Sequence, residues 1–176
     1  SLCAPILLLL LGLAPWVIRL LYSVEFGPAV DVLRWQLLGD VLKVVSFPLG
    51  VVLLASGASK RFLLAEAVAM SIFIIVAWQT LPLFGVEATG IAFLIMYVFY
   101  LPVILYWAKK LINFQAAGVL VLRVFLLFFS AVAIVLLSYH SEVWAVVTAL
   151  LLSTGFGIAA FIRLRGYLDR EQEAGA

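Results

Sequence analysis

The sequence predicts an all-α integral membrane protein with six transmembrane helices, and three observations lead to that prediction. Hydrophobic residues make up 67% of the 176 residues and charged residues only 11%, whereas a soluble domain is about 45–50% apolar and about 25% charged. The apolar residues form six runs, each close to the roughly 20 residues that a helix needs to cross a bilayer. Lysine and arginine collect in alternate loops between these runs. Helices are expected because lipid offers no hydrogen-bonding partner to backbone groups.

The six predicted spans are separated by short polar loops. They lie at about 2–21, 31–55, 62–81, 88–108, 117–138 and 144–162. We expect one helix bundle over residues 1–165 and a polar cytoplasmic tail over 166–176. The chain enters its first span at once, without the basic start and short apolar core of a signal peptide. We therefore expect it to be the C-terminal part of a longer membrane protein.

The loop charges predict the orientation in the membrane. The loops after the second and fourth spans and the C-terminal tail are basic, whereas the other three loops contain no lysine or arginine. The basic residues are Lys60, Arg61, Lys109, Lys110, Arg163, Arg165 and Arg170. Since basic loops stay in the cytoplasm, these loops and the C-terminus are predicted to be cytoplasmic. Arg123 lies about two turns into the fifth span and is expected to extend to the membrane surface.

Charged residues within the second span set it apart from the others. A charge at the bilayer centre costs roughly 2.5–3.5 kcal/mol on insertion scales. At about 100° per residue, the polar residues and the glycines of this span fall on one helix face. We call this face the polar stripe: Gln36, Gly39, Asp40, Lys43, Ser46, Phe47 and Gly50. Arg34 lies off the stripe at the outer mouth of the helix, and Pro48 predicts a bend beneath the charged part.

Two hypotheses account for these charges. In the first, the stripe lines a water-filled cavity that accepts an anionic or sugar-bearing substrate, and the candidate binding residues are Arg34, Gln36, Asp40 and Lys43. In the second, Asp40 and Lys43 form a structural ion pair between packed helices, and Arg34 sits at the membrane interface. The i, i+3 spacing of Asp40 and Lys43 allows them to pair in either case.

Glu66, one turn into the third span, is the other acidic residue of interest. It could relay a proton or contact substrate, and it could equally extend to the interface or pair with Lys60. Asp40 and Glu66 are therefore the candidate residues for ion or proton coupling.

Most enzyme chemistry is unsupported by the composition. The chain has one cysteine, Cys3, and one histidine, His140, so neither a metal site nor a cysteine–histidine nucleophile is expected. No glycine-rich phosphate loop and no catalytic triad pattern occurs. The sequence predicts no cofactor and no enzymatic activity.

The run Arg34-Trp35-Gln36-Leu37-Leu38-Gly39-Asp40-Val41-Leu42-Lys43 resembles a motif of Wzx-type polysaccharide flippases, which include the lipid III and O-antigen flippases. These proteins belong to the multidrug/oligosaccharidyl-lipid/polysaccharide exporter superfamily. Leu64-Ala65-Glu66 and the stretch from Pro82 to Ala92 extend the resemblance, which covers about residues 1–110. The two spans beyond it favour an O-antigen or general exopolysaccharide exporter with fourteen helices.

The resemblance implies a two-bundle, alternating-access transporter of the bacterial inner membrane. Its substrate would be an undecaprenyl-pyrophosphate-linked oligosaccharide, moved from the cytoplasmic to the periplasmic leaflet. Arg34 and Lys43 would suit the pyrophosphate, and Asp40 and Glu66 would suit coupling. Expected partners are membrane lipids and other polysaccharide-assembly proteins, with no nucleic acid. The alternatives are an ion-coupled multidrug exporter of the same superfamily and a non-transporting membrane scaffold.

Overall fold

A computed structural model describes residues 3–21, 27–112 and 118–174, and these residues form six α-helices. The helices are α1 Cys3–Leu21, α2 Gly27–Ala55, α3 Ser59–Phe84, α4 Glu87–Ile112, α5 Gly118–His140 and α6 Glu142–Ala174. Each contains a segment long and apolar enough to cross a membrane. The predicted all-α membrane fold is therefore confirmed.

Several helices extend beyond the apolar runs that the sequence marks out. α6 continues to Ala174, through polar residues of the predicted tail. α2 runs through Pro48 as a single helix, and α4 runs through Pro102. Hydropathy marks only the part of a helix that suits lipid, whereas the backbone hydrogen bonds continue into the polar residues at either end.

α2 is the central helix of the bundle. It packs on α1, α4 and α5 and more lightly on α3, while α1 and α5 both pack on α6. Its first half contributes Leu37, Leu38 and Val41 to a buried cluster with α1, α5 and α6. Its second half contributes Leu49 and Leu53 to another buried cluster with α3 and α4. Different neighbouring helices therefore cover the two halves of α2.

Polar contacts fasten α1 to α6 at both ends of the pair. The Ser153 hydroxyl donates a hydrogen bond of 2.8 Å to the Pro5 carbonyl oxygen. At the other end, Arg19 Nη2 lies 2.8 Å from Glu142 Oε1. A hydroxyl that satisfies a carbonyl on a neighbouring helix is a favourable contact in lipid, where water is not available to either group.

Glycines let α2 and α4 approach closely. A Cβ atom on Gly90 of α4 would lie 2.7 Å from the Val32 carbonyl oxygen and 2.8 Å from the Trp35 Cβ. A Cβ on Gly39 of α2 would lie 2.6 Å from Phe93 Cδ1. Since the obstacle at Gly90 includes backbone, it cannot rotate away as a flexible side chain would.

We expect Gly90→Ala to lower the stability of the protein, because the added methyl group would force α4 away from α2. The expected loss is about 1–3 kcal/mol, the usual cost of overpacking, measured as a lower melting temperature in detergent. Gly155→Ala is the matched control, since nothing lies within 4 Å of the added Cβ there. Equal melting temperatures for the two variants would show that this helix contact is not close-packed.

Candidate functional site

α2 and α3 are bridged by α4 and touch each other over only a small part of their length. Both helices pack extensively on α4 and only lightly on each other. A tight turn joins them, with Gly57 at a φ of 79°. Close to this turn the helices still meet, because a Cβ on Gly50 would lie 2.9 Å from the Phe62 ring. We call the opening beyond that contact the α2–α3 groove.

Asp40 and Lys43 of the polar stripe lie together at this groove. Lys43 Nζ is 3.7 Å from Asp40 Oδ1, and the two side chains are 46% and 32% exposed. The Lys43 ammonium also lies 5.5 Å from the centre of the Phe93 ring of α4. The ion pair therefore lies within one helix and remains half-open, rather than joining two packed helices.

The pair by itself is too weak to explain two charges in a membrane span. Each charge costs roughly 2.5–3.5 kcal/mol at the bilayer centre, and the 3.7 Å between Lys43 Nζ and Asp40 Oδ1 is longer than the roughly 2.7–2.9 Å of a charge-assisted hydrogen bond. Ionisable side chains within a span usually face the bundle interior or a water-filled cavity, and the open side of this pair fits the second of these.

The rest of the stripe packs against protein. Ser46 is fully buried, and its hydroxyl donates a hydrogen bond of 3.1 Å to the Lys43 carbonyl oxygen. Gln36 is half-buried, one turn before Asp40 on the same helix face. The Phe93 ring of α4 packs against Gly39, and the Phe62 ring of α3 packs against Gly50. Phe47, by contrast, is 67% exposed, so the stripe is part interface and part open surface.

A row of aromatic rings lines the floor of the groove on α4. The Phe93 and Tyr97 rings meet edge to face at 4.9 Å, and the Tyr97 and Tyr100 rings do so at 5.9 Å. Positions 93, 97 and 100 share a helix face by their spacing. Phe93 and Tyr97 are half-buried and remain accessible, whereas Tyr100 is buried.

Glu66 of α3 joins this row at its far end. The Tyr100 hydroxyl donates a hydrogen bond of 2.6 Å to Glu66 Oε1. The carboxylate thus has a tyrosine partner on α4 rather than Lys60 on its own helix. Tyr97 stands between Phe93 and Tyr100 in the row and meets both rings edge to face. The groove therefore contains a row of polar and aromatic groups that runs from Lys43 to Glu66.

Arg34 lies apart from this row. It is 6% exposed, its Nη1 is 2.8 Å from Asp31 Oδ1, and its guanidinium lies 5.5 Å from the centre of the Tyr139 ring of α5. Of the four predicted substrate-binding residues, the structure brings Gln36, Asp40 and Lys43 to one face of α2 and directs Arg34 to another. Two buried donors, Arg34 Nε and Trp35 Nε1, have no acceptor among the described residues.

The partners of these residues were only partly visible in the sequence. Asp31 stands at i, i+3 spacing before Arg34, which is a recognisable pairing signal. The link between Glu66 and Tyr100 joins two helices and has no local signal. Among the described residues, no group of three histidine, cysteine or acidic side chains is placed to hold a metal ion.

We expect the hydrogen bond between Tyr100 and Glu66 to couple α3 to α4 measurably. Hydrogen bonds to charged groups contribute about 1.5–3 kcal/mol, so Tyr100→Phe and Glu66→Gln should each destabilise the protein, and the double variant should lose less than the sum. A double-mutant cycle of unfolding free energies in detergent measures the coupling. Tyr97→Phe is the control, and additive losses would contradict the bond.

Two curated proteins are similar to part of this chain. They are the lipid III flippases of Escherichia coli (strain K12) and Shigella flexneri, each 29% identical over 104 aligned residues. The alignment covers 54% of this chain, and the chain spans only about 25% of the length of each flippase. No family model and no solved structure matches the chain. The similarity supports a flippase-like membrane transporter in general terms.

Proposed function

We propose that this chain is the C-terminal portion of a Wzx-type flippase in the bacterial inner membrane. The complete protein would move an undecaprenyl-pyrophosphate-linked oligosaccharide, such as an O-antigen repeat, from the cytoplasmic to the periplasmic leaflet. The C-terminus would be cytoplasmic. The similarity to lipid III flippases supports the transported class, and the half-open Lys43 beside an aromatic row is the observation that carries the proposal.

Each part of such a substrate has a chemical counterpart in the α2–α3 groove. Lys43 is a cation for the pyrophosphate, and Gln36 offers an amide for hydrogen bonds. The accessible rings of Phe93 and Tyr97 offer faces on which sugar rings can pack. In the complete transporter, the second helix bundle would close this groove into a cavity. Arg34 is buried and paired with Asp31, so we assign it a structural role.

Asp40 and Glu66 supply the proposed coupling to protons or ions. While Asp40 is ionised, it neutralises Lys43 across 3.7 Å. Protonation or cation binding at Asp40 would remove that competition and leave Lys43 free to hold an anion. Glu66 would bind and release the coupled proton itself, and in its ionised form it accepts a hydrogen bond from the Tyr100 hydroxyl.

The direct test is transport by the full-length protein in proteoliposomes. A lipid-linked oligosaccharide is placed in one leaflet, and its appearance in the other is followed by its accessibility to a glycosidase. We expect movement that depends on an imposed proton or sodium gradient. Transport of a cationic drug without movement of the glycan lipid would contradict the proposal and support a multidrug exporter. Transport of neither would contradict it and support a membrane scaffold.

A further inference from the structure

A basic and aromatic cluster lies where α3 begins and α4 ends, away from the α2–α3 groove. The Arg61 guanidinium lies 5.1 Å from the centre of the Trp107 ring. The Lys110 ammonium lies 5.9 Å from the same ring and 5.8 Å from the Tyr106 ring. Exposed Lys60 and Lys109 flank these residues. We call this set the α3–α4 basic cluster: Lys60, Arg61, Tyr106, Trp107, Lys109 and Lys110.

In the described part of the chain, no acidic side chain forms an ion pair with a cation of the cluster. The three ion pairs in the described part of the chain involve Arg19, Arg34 and Lys43, so none uses a cation of the cluster. Two of the four cations, Arg61 and Lys110, lie within cation–π distance of the centre of one indole ring. The ring therefore keeps both charges in place near the ends of the spans.

The position of the cluster matches the depth of lipid headgroups. Tryptophan and tyrosine prefer the membrane–water interface, and Trp107 and Tyr106 lie near the end of the span on α4. One turn further into the membrane on α3, the side chains of Leu63 and Leu64 are 64% and 60% exposed. Exposed apolar side chains thus follow the charges along α3, an order that matches a phosphate with acyl chains beneath it.

We propose that the α3–α4 basic cluster is a binding site for the phosphate of an anionic phospholipid headgroup. Arg61 and Lys110 contact the phosphate, Trp107 holds both cations in place, and the acyl chains lie along the exposed leucines of α3. A phosphate on two fixed cations gains charge-assisted hydrogen bonds that a zwitterionic headgroup, which carries its own cation, matches less well. The site does not depend on transport activity.

The test measures which lipids the full-length protein retains. The protein is equilibrated in mixed micelles of phosphatidylglycerol and phosphatidylcholine, and the bound lipids are counted by native mass spectrometry. We expect wild type to retain mainly phosphatidylglycerol. Arg61→Gln with Lys110→Gln should lower the retained ratio by about 30-fold, as expected for two cations near an anionic surface. Trp107→Leu should lower it by about fivefold while every charge is kept.

Arg163→Gln with Arg165→Gln is the matched control, because it removes two cations of α6 from the same end of the bundle. An equal loss in this control would attribute retention to diffuse charge and overturn the site. An unchanged ratio in Trp107→Leu, or displacement of the lipid by excess inorganic phosphate, would overturn it as well. Circular dichroism melting of each variant establishes that the compared proteins are folded.

Discussion

Lys43→Ala in the full-length protein should reduce surface polysaccharide about 10- to 100-fold in cells whose polysaccharide export depends on this transporter. The lost interaction is that of a cation with a phosphate, and hydrogen bonds to charged groups contribute about 1.5–3 kcal/mol. Asp40→Ala should also lower export, because without Asp40 nothing competes with the phosphate for Lys43 across 3.7 Å and the proposed coupling to protons or ions is lost. Export is measured as surface polysaccharide relative to the amount of transporter in the membrane.

The matched control for both variants is Arg123→Ala. Arg123 is an exposed cation on α5, in a predicted span but outside the α2–α3 groove, and it is expected to extend to the membrane surface. Its loss should leave export near the wild-type level. Normal export from both Asp40→Ala and Lys43→Ala, with normal protein levels, would rule out the role of the groove in transport.

Arg34→Ala should destabilise the protein by about 3 kcal/mol without a matching loss of transport per folded molecule. Removing one partner of a buried ion pair costs about 3–5 kcal/mol, because the other charge stays uncompensated. Asp31 is 27% exposed, so water offsets part of that cost. The loss of the contact with the Tyr139 ring adds to it. The measurement is the unfolding free energy in detergent, alongside export per unit of folded protein.

Two further variants distinguish the effect of breaking the buried Arg34–Asp31 pair from the effect of losing any ion pair. Arg34→Met with Asp31→Asn removes both charges, so it should recover most of the stability that Arg34→Ala loses. Arg19→Ala breaks the ion pair with Glu142, whose side chains are 58% and 37% exposed, and should cost less than about 1 kcal/mol. If Arg34→Ala loses more transport than folded protein, Arg34 takes part in substrate binding and the structural role is contradicted.

The membrane fold could be predicted from composition and spacing alone. Apolar runs of spanning length require helices, because each backbone group must find its partner within its own segment. The spacing along α2 also predicted that Gln36, Asp40 and Lys43 share one helix face, since helical periodicity is a local property. The pairing of Arg34 with Asp31 follows the spacing rule for helices, because the two residues are three apart at the start of the second span.

The contacts that join separate helices required the tertiary structure. Tyr100 and Glu66 are 34 residues apart, and no local pattern indicates that one hydroxyl faces the other carboxylate. The same holds for Arg61 and Lys110 on the Trp107 ring, since loop charges predict a side of the membrane but not which rings they meet. Helix packing decides such contacts.

The sequence by itself determined that this protein is a bundle of membrane-spanning helices with one unusually charged span. Only the tertiary structure decided which of those charges are buried and which remain open. Because α2 lies at the centre of the bundle, Arg34 is buried beside α5, while Asp40 and Lys43 remain half-open at the α2–α3 groove. Helical periodicity determines which residues share a face, and the packing of neighbouring helices decides which face is covered and which remains open.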